Sequence, residues 1–235
     1  MKKKKGPVRL QLTENTFFRA LEDNAKEVKS NYCIIANSDH YTLLYRDGQF
    51  LGMPKPFGGP IFPFAIDPTE EGNNGQKKKF QTAKVVCIAK DFNLKVYWGT
   101  ETPFVMEDCV TKNPYSVGAR GVFYVNVDPS DAARKADQFY SKVLSNRDPE
   151  SFTTEALRDF LREGFIMQIG AKIQQYMEEQ TRSFENLVGL QPSEILKISE
   201  EIFPKMKDIF AMYGLTITDI SKNSILQGLV VNPIE

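Results

Sequence analysis

The stretch YSVGARGVFYVNVDPS, residues 115–130, reads as a long strand that runs into a helix start. Its β-formers extend from Tyr115 to Val127, and a strand glycine marks a bend or a close backbone approach, here at Gly118 or Gly121. Asp128–Pro129–Ser130 then stops the strand and caps the next element. Beyond it, Ala132, Ala136, Phe139 and Val143 recur at helical spacing over residues 130–145.

Downstream the helical pattern continues. Thr153 or Thr154 caps a longer helix with Leu157, Phe160, Leu161, Phe165, Ile169, Ile173, Tyr176 and Met177 on one face. Gln191–Pro192–Ser193–Glu194 opens a third, with Ile195, Ile198, Ile202, Met206, Ile209 and Phe210 inward. Pro204 is expected to kink or split it. Gly214 terminates it in the C′ position. LTITDIS, residues 215–221, is then a strand with Leu215, Ile217 and Asp219 on one face.

Upstream the period is two. YCIIA (32–36), a turn at Asn37–Ser38–Asp39, HYTLLYR (40–46), a turn at Asp47–Gly48 and QFLGM (49–53) read as a meander. Prolines and glycines punctuate residues 54–63, and DPTEEGNNGQKKK (67–79) is a polar loop. FQTAKVVCIAK (80–90) and NLKVYW (93–98) are further strands. Residues 1–30 are polar, with one amphipathic helix expected from Thr13 through Phe17, Phe18, Leu21, Ala25 and Val28. The order predicts an α+β protein: a basic tail and short helix over 1–30, a β-rich subdomain over 31–110 and an α/β subdomain over 111–235.

Thirty basic residues balance thirty acidic ones. That neutrality argues against a dedicated nucleic-acid partner, whose footprint is an excess of Lys and Arg. Cys33, Cys87 and Cys109 are odd in number and show no CxxC spacing, so neither a zinc site nor a redox motif is expected. Cys33 and Cys87 sit in apolar runs, where a thiol packs as a small hydrophobe, and a reducing cytoplasmic setting is the expectation. No apolar run approaches the length of a membrane span, and the lysines at the start are followed by polar sequence and not by the apolar core of a signal peptide.

Catalytic chemistry finds little footing. The one histidine, His40, stands beside Asp39 and Ser38 on a predicted turn, where side chains diverge and a triad does not assemble. The pairs Glu70–Glu71, Glu178–Glu179 and Glu200–Glu201 read as solvated faces. Gly58–Gly59 and Gly72–Asn73–Asn74–Gly75 lack the strand-to-helix context of a phosphate loop. Trp98, Tyr97 and Phe104 are aromatics at a strand end, more commonly core or interface than a base-stacking platform. No cofactor is implied. Two basic runs, Lys2–Lys3–Lys4–Lys5 and Lys77–Lys78–Lys79, read as solvated segments, with peripheral contact to an anionic membrane as the sharper alternative.

Several segments taken together resemble one family. Trp98–Gly99–Thr100–Glu101–Thr102–Pro103, followed by Asp108 and then ARGVFYVNVDP with Gly121, Asp128 and Pro129, looks like the middle of a bacterial stomatin–prohibitin–flotillin (band 7) domain. The inward Phe139 of the next helix belongs to the same pattern. FTTEALRDFLREGFIMQIGAKI and FPKMKDIFAMYGLTITDISKNSI, with Gly214, are similar to its later helices and closing strand, and LLYRDGQFLG to an earlier hairpin. The resemblance covers residues 32–225 and is nearest the soluble, virion-core-protein-like branch. It implies a non-catalytic scaffold that forms homo-oligomers and organises membrane-associated or stress-response complexes, in the cytoplasm or peripherally at the inner membrane face. The alternative is a cytosolic adaptor that binds a single protein partner.

Overall fold

The structure, a computed structural model, describes residues 18–22, 38–46, 48–54, 83–90, 92–148 and 151–234. It is α+β, and the chain forms two compact units: residues 1–92 with 127–154, and residues 93–126 with 155–235. The division therefore falls at 92/93, 126/127 and 154/155, and not at the expected 110/111. The reason is strand pairing, which ties the strands just after residue 93 to the strand of 114–127.

The first unit carries β1 (Phe18–Glu22), β2 (His40–Arg46), β3 (Gln49–Gly52) and β4 (Ala83–Ala89), an antiparallel sheet in the order β1-β4-β2-β3. β4 lies between two partners, and its Val85, Val86, Cys87 and Ile88 are all buried, as the apolar pattern around Cys87 predicts. β2 and β3 make the expected hairpin, Arg46 opposite Gln49, with Gly48 at φ 77° in the left-handed region that favours glycine. α1 (Ala132–Phe139) comes after a turn capped by Asp128, whose carboxylate accepts from Ser130 N at 2.9 Å with Pro129 at the first position. Phe139 is fully buried and stacks on Phe92 at 5.8 Å. Tyr45 donates to Asp137 Oδ1 at 2.7 Å, tying α1 to β2.

The helix expected near the start is not there among the described residues. Residues 18–22 form β1, with Phe18 buried opposite Ile88. A short apolar cluster fits either period, and here the free side of β4 supplies a ladder that outweighs local helix propensity. Thr13, Phe17, Ala25, Val28, Tyr32–Ala36, Asp47 and the loop 67–79 lie outside the described residues.

The second unit is built on β7 (Pro114–Val127). β5 (Leu94–Gly99) and β6 (Phe104–Glu107) pair with one side of it, and β8 (Leu215–Ile217) and β9 (Gly228–Pro233) with the other. α2 (Thr154–Gln180) and α3 (Pro192–Met206) complete it. Odd residues of β7 face inward: Phe123 stacks on Phe165 of α2 at 4.3 Å and meets Phe210 at 6.0 Å, and Trp98 meets Phe165 at 5.0 Å. Of the face predicted for α2, all but Phe160 are buried. That face is legible because a 3.6-residue period sustained over many turns has few alternatives.

Two local expectations shift. α3 runs through Pro204 and ends at Met206, so the proline sits in the closing turn and splits nothing. The strand expected over 215–221 stops at Ile217, and Asp219–Asn223 forms a 3-10 turn with Ile220 exposed. The Ser221 hydroxyl takes the place of the next ladder bond, accepting from Tyr124 N at 2.8 Å. Gly214 has φ 74°, a left-handed cap as expected, but it closes the 3-10 turn Ala211–Tyr213 and not α3, the helix it is expected to terminate.

Candidate self-association surface

Of the residues that carry the family resemblance, Trp98, Gly99, Thr100, Pro103, Asp108, Gly121 and Gly214 lie in the second unit, where their work is architectural, while Asp128, Pro129 and Phe139 lie in the first. Gly99 opposes Arg120 and Phe104 opposes Val117, so residues 100–103 stand against only Gly118 and Ala119. Thr100–Glu101–Thr102–Pro103 is therefore a bulge between β5 and β6. Thr100 closes it twice: its N–H donates to Ala119 O at 2.9 Å, and its Oγ1 accepts from Ala119 N at 3.0 Å. Pro103, exposed in the bulge, has no N–H to leave unpaired.

Gly121 is required by close approach. A Cβ there would lie 2.3 Å from Ile225 O, because the backbone after the 3-10 turn crosses β7 at this point. Trp98, the cross-strand partner of Gly121, donates from Nε1 to the same carbonyl at 2.9 Å. One glycine and one indole thus seat the 224–226 segment on the sheet.

Asp108 is completely buried. Its Oδ1 accepts from Val110 N at 2.8 Å and Thr111 N at 2.7 Å, and its Oδ2 from Ser183 Oγ at 2.7 Å and from Phe184 N. Burial alone would raise its pKa; the four donors outweigh it and bring the carboxyl down to about 2. The side chain locks the β6–β7 turn to the short helix after α2. Its carboxylate oxygens are taken up by these four donors.

The outer side of this sheet is a second feature of the unit. Side-chain direction alternates along a strand, so Lys95, Tyr97, Val105, Gly118, Arg120 and Val230 share the face opposite the aromatic core. Val105 is 75% exposed, Tyr97 63% and Val230 62%. Gly118 lies directly beside Val230, leaving the middle of the face flat. Beside β5 runs an open groove of about 590 Å³, lined on the sheet side by Trp98 and Thr100 and on the α2 side by Arg162, Glu163 and Ile166. Of the three aromatics grouped from sequence, the structure buries Trp98, half-buries Phe104 and exposes Tyr97. Val105 and Val230 were not singled out by sequence; the signal was their parity relative to Trp98 and Val231, which becomes readable only once the register with β7 is known.

The other candidates are placed separately. Ser38 Oγ donates to Asp39 at 2.9 Å, and His40 begins β2 with its buried Nδ1 lacking a protein partner. Burial lowers the His40 pKa, Asp39 opposing and Lys90 adding to the effect. No nucleophile–base bond links the three in the way acyl-transfer chemistry requires. Glu179 pairs with Lys205 and Glu200 with Lys222, as charged residues on helix surfaces do. Among the described residues no group of three or more His, Cys, Asp or Glu is placed to hold a metal ion, and no helix is long and apolar enough to cross a membrane. Lys2–Lys5 and Lys77–Lys79 lie outside the described residues. No family model, curated protein or solved structure matches the chain.

Proposed function

We propose that this protein is a non-catalytic scaffold of stomatin–prohibitin–flotillin type that associates with copies of itself and organises membrane-associated or stress-response complexes. The observation that carries the reading is the outer face of the second unit's sheet, where Tyr97, Val105 and Val230 stand well exposed on a surface whose other side is the core. Exposed apolar side chains on one sheet face, Val105 and Val230 near one end and Tyr97 further along with Arg120 between, favour burial against another protein surface. The family resemblance, residue by residue, supplies the same reading. The basic runs Lys2–Lys5 and Lys77–Lys79 are the proposed contact with an anionic membrane; four lysines alone give marginal binding, and stable attachment needs a second signal.

Sedimentation velocity over a wide range of protein concentration tests this. Larger species that grow with concentration are expected, and Val105→Glu with Val230→Glu is expected to shift them toward the single chain. A single one-chain species at every concentration would overturn the scaffold reading and leave the single-partner adaptor.

A further inference from the structure

A separate concavity of the second unit lies between the end of α2, the short helix Phe184–Leu187 and the first turns of α3. Its volume is about 330 Å³, within the range of small-molecule sites. Leu187 and Ile198 give it an apolar floor, each only 3% exposed. Tyr176 lines it too and is as deeply buried. Its hydroxyl oxygen accepts from Arg182 Nη1 at 3.3 Å, but its own hydrogen has no acceptor among the described residues. Buried hydroxyls ordinarily find such a partner, and a guanidinium, having donors only, cannot serve as one. The rim carries both signs of charge. Arg182, Lys197 and Glu201 are exposed there, and none of them forms an ion pair among the described residues. Lys197 and Glu201 stand one helical turn apart with Lys first, the weaker order for a pair on a helix. Glu194 is committed elsewhere, its carboxylate accepting from Gln191 N at 2.9 Å to close the cap of α3. Burial raises the Tyr176 pKa, Glu201 adds to the rise and Arg182 opposes it, so both charges act on the hydroxyl.

We propose that this concavity binds a free α-amino acid with an aliphatic side chain. The ligand's carboxylate supplies the acceptor that the Tyr176 hydroxyl lacks and takes charge-assisted bonds from Arg182, with Lys197 on the same rim. Its ammonium group faces Glu201, and its side chain lies on Leu187 and Ile198. Simpler ligands leave something unmatched. A bare carboxylate meets the charge of Glu201 uncompensated, and a bare amine meets Arg182 and Lys197. An uncharged apolar molecule leaves the buried hydroxyl without its acceptor, which costs binding. A zwitterion with an apolar branch satisfies hydroxyl, cations, carboxylate and floor together. The site shares no residue with the outer sheet face, so it is independent of the self-association reading.

Titration calorimetry of the full chain with leucine, N-acetylleucine and leucinamide tests this. Leucine is expected to bind, and the two blocked forms, each lacking one charge, to bind about tenfold more weakly or worse. Tyr176→Phe keeps the ring on the floor and removes the hydroxyl, and is expected to weaken leucine about tenfold. Glu201→Gln, at the surface, is expected to weaken leucine while strengthening N-acetylleucine, a reversal that loss of structure does not produce. Circular dichroism and thermal melting identify any variant that has lost its fold. No heat from leucine at millimolar concentration would overturn the proposal. So would blocked forms that bind as tightly as leucine, or folded variants that bind all three ligands as the native protein does.

Discussion

Gly121→Ala is expected to cost about 3–5 kcal/mol of folding stability while adding a single methyl group to a strand. The new Cβ would sit 2.3 Å from Ile225 O, 2.7 Å from Ile225 C and 2.8 Å from Ser224 O. All three are backbone atoms, so no side-chain rotation relieves the contact. Overpacking of this kind costs about 1–3 kcal/mol. Retreat of the 224–225 backbone also breaks Trp98 Nε1 to Ile225 O, 2.9 Å, and Val122 N to Ser224 O, 2.7 Å. Each buried hydrogen bond is worth about 1 kcal/mol, more if a donor is left unpaired. Urea unfolding followed by tryptophan fluorescence measures the midpoint, and Trp98, the only tryptophan, reports on the site itself. Gly118→Ala is the control: the nearest atom to its Cβ is 3.7 Å away, and its cost is expected to stay under about 1 kcal/mol. A Gly121→Ala midpoint close to native, or equal losses at the two glycines, would refute the reasoning.

The same unit makes other outcomes testable. Asp108 has a folded pKa of about 2 against an ordinary 3.8, so its contribution, about 2 kcal/mol, is fully present above pH 4 and is lost as pH falls toward 2. Asp108→Asn is therefore expected to destabilise by about 2–4 kcal/mol at pH 7 and by much less near pH 2, and a pH-independent difference would contradict the donor network. Trp98→Phe keeps most of the packing on Phe165 but leaves Ile225 O without its indole donor; a loss of about 1–2 kcal/mol is expected in thermal melts monitored by circular dichroism. Replacing Lys2 to Lys5 with serine is expected to abolish flotation with anionic vesicles, and unchanged flotation would rule out the polybasic contact.

Much of the fold can be read from local pattern, and the exceptions have physical causes. The inward face of α2 is legible from Leu157 to Met177 because its period persists. β2 and β3 are legible because a two-residue Asp-Gly link between alternating runs has one common solution. β1 is not, since Phe18, Ala20 and Leu21 fit two periods and the choice is made by pairing with β4, distant in sequence. The shortened β8 is invisible for a similar reason: Ser221 can continue a strand or cap a turn, and only Tyr124 across the sheet selects the turn. Gly121 and Trp98 stand out in the sequence, but their cause, a backbone crossing the strand from a segment about a hundred residues later, does not. The surface proposed for association is the least legible part. Tyr97 and Trp98 are adjacent aromatics, and the register with β7 alone determines which is core and which faces out.

Self-association is tested most directly by the solution mass from light scattering after size exclusion, taken across protein and salt concentrations. A self-associating scaffold predicts a mass that climbs from one chain toward two and beyond as concentration rises, and that falls toward one chain when Val105 and Val230 are changed to Glu. A mass of one chain under all of these conditions would contradict it.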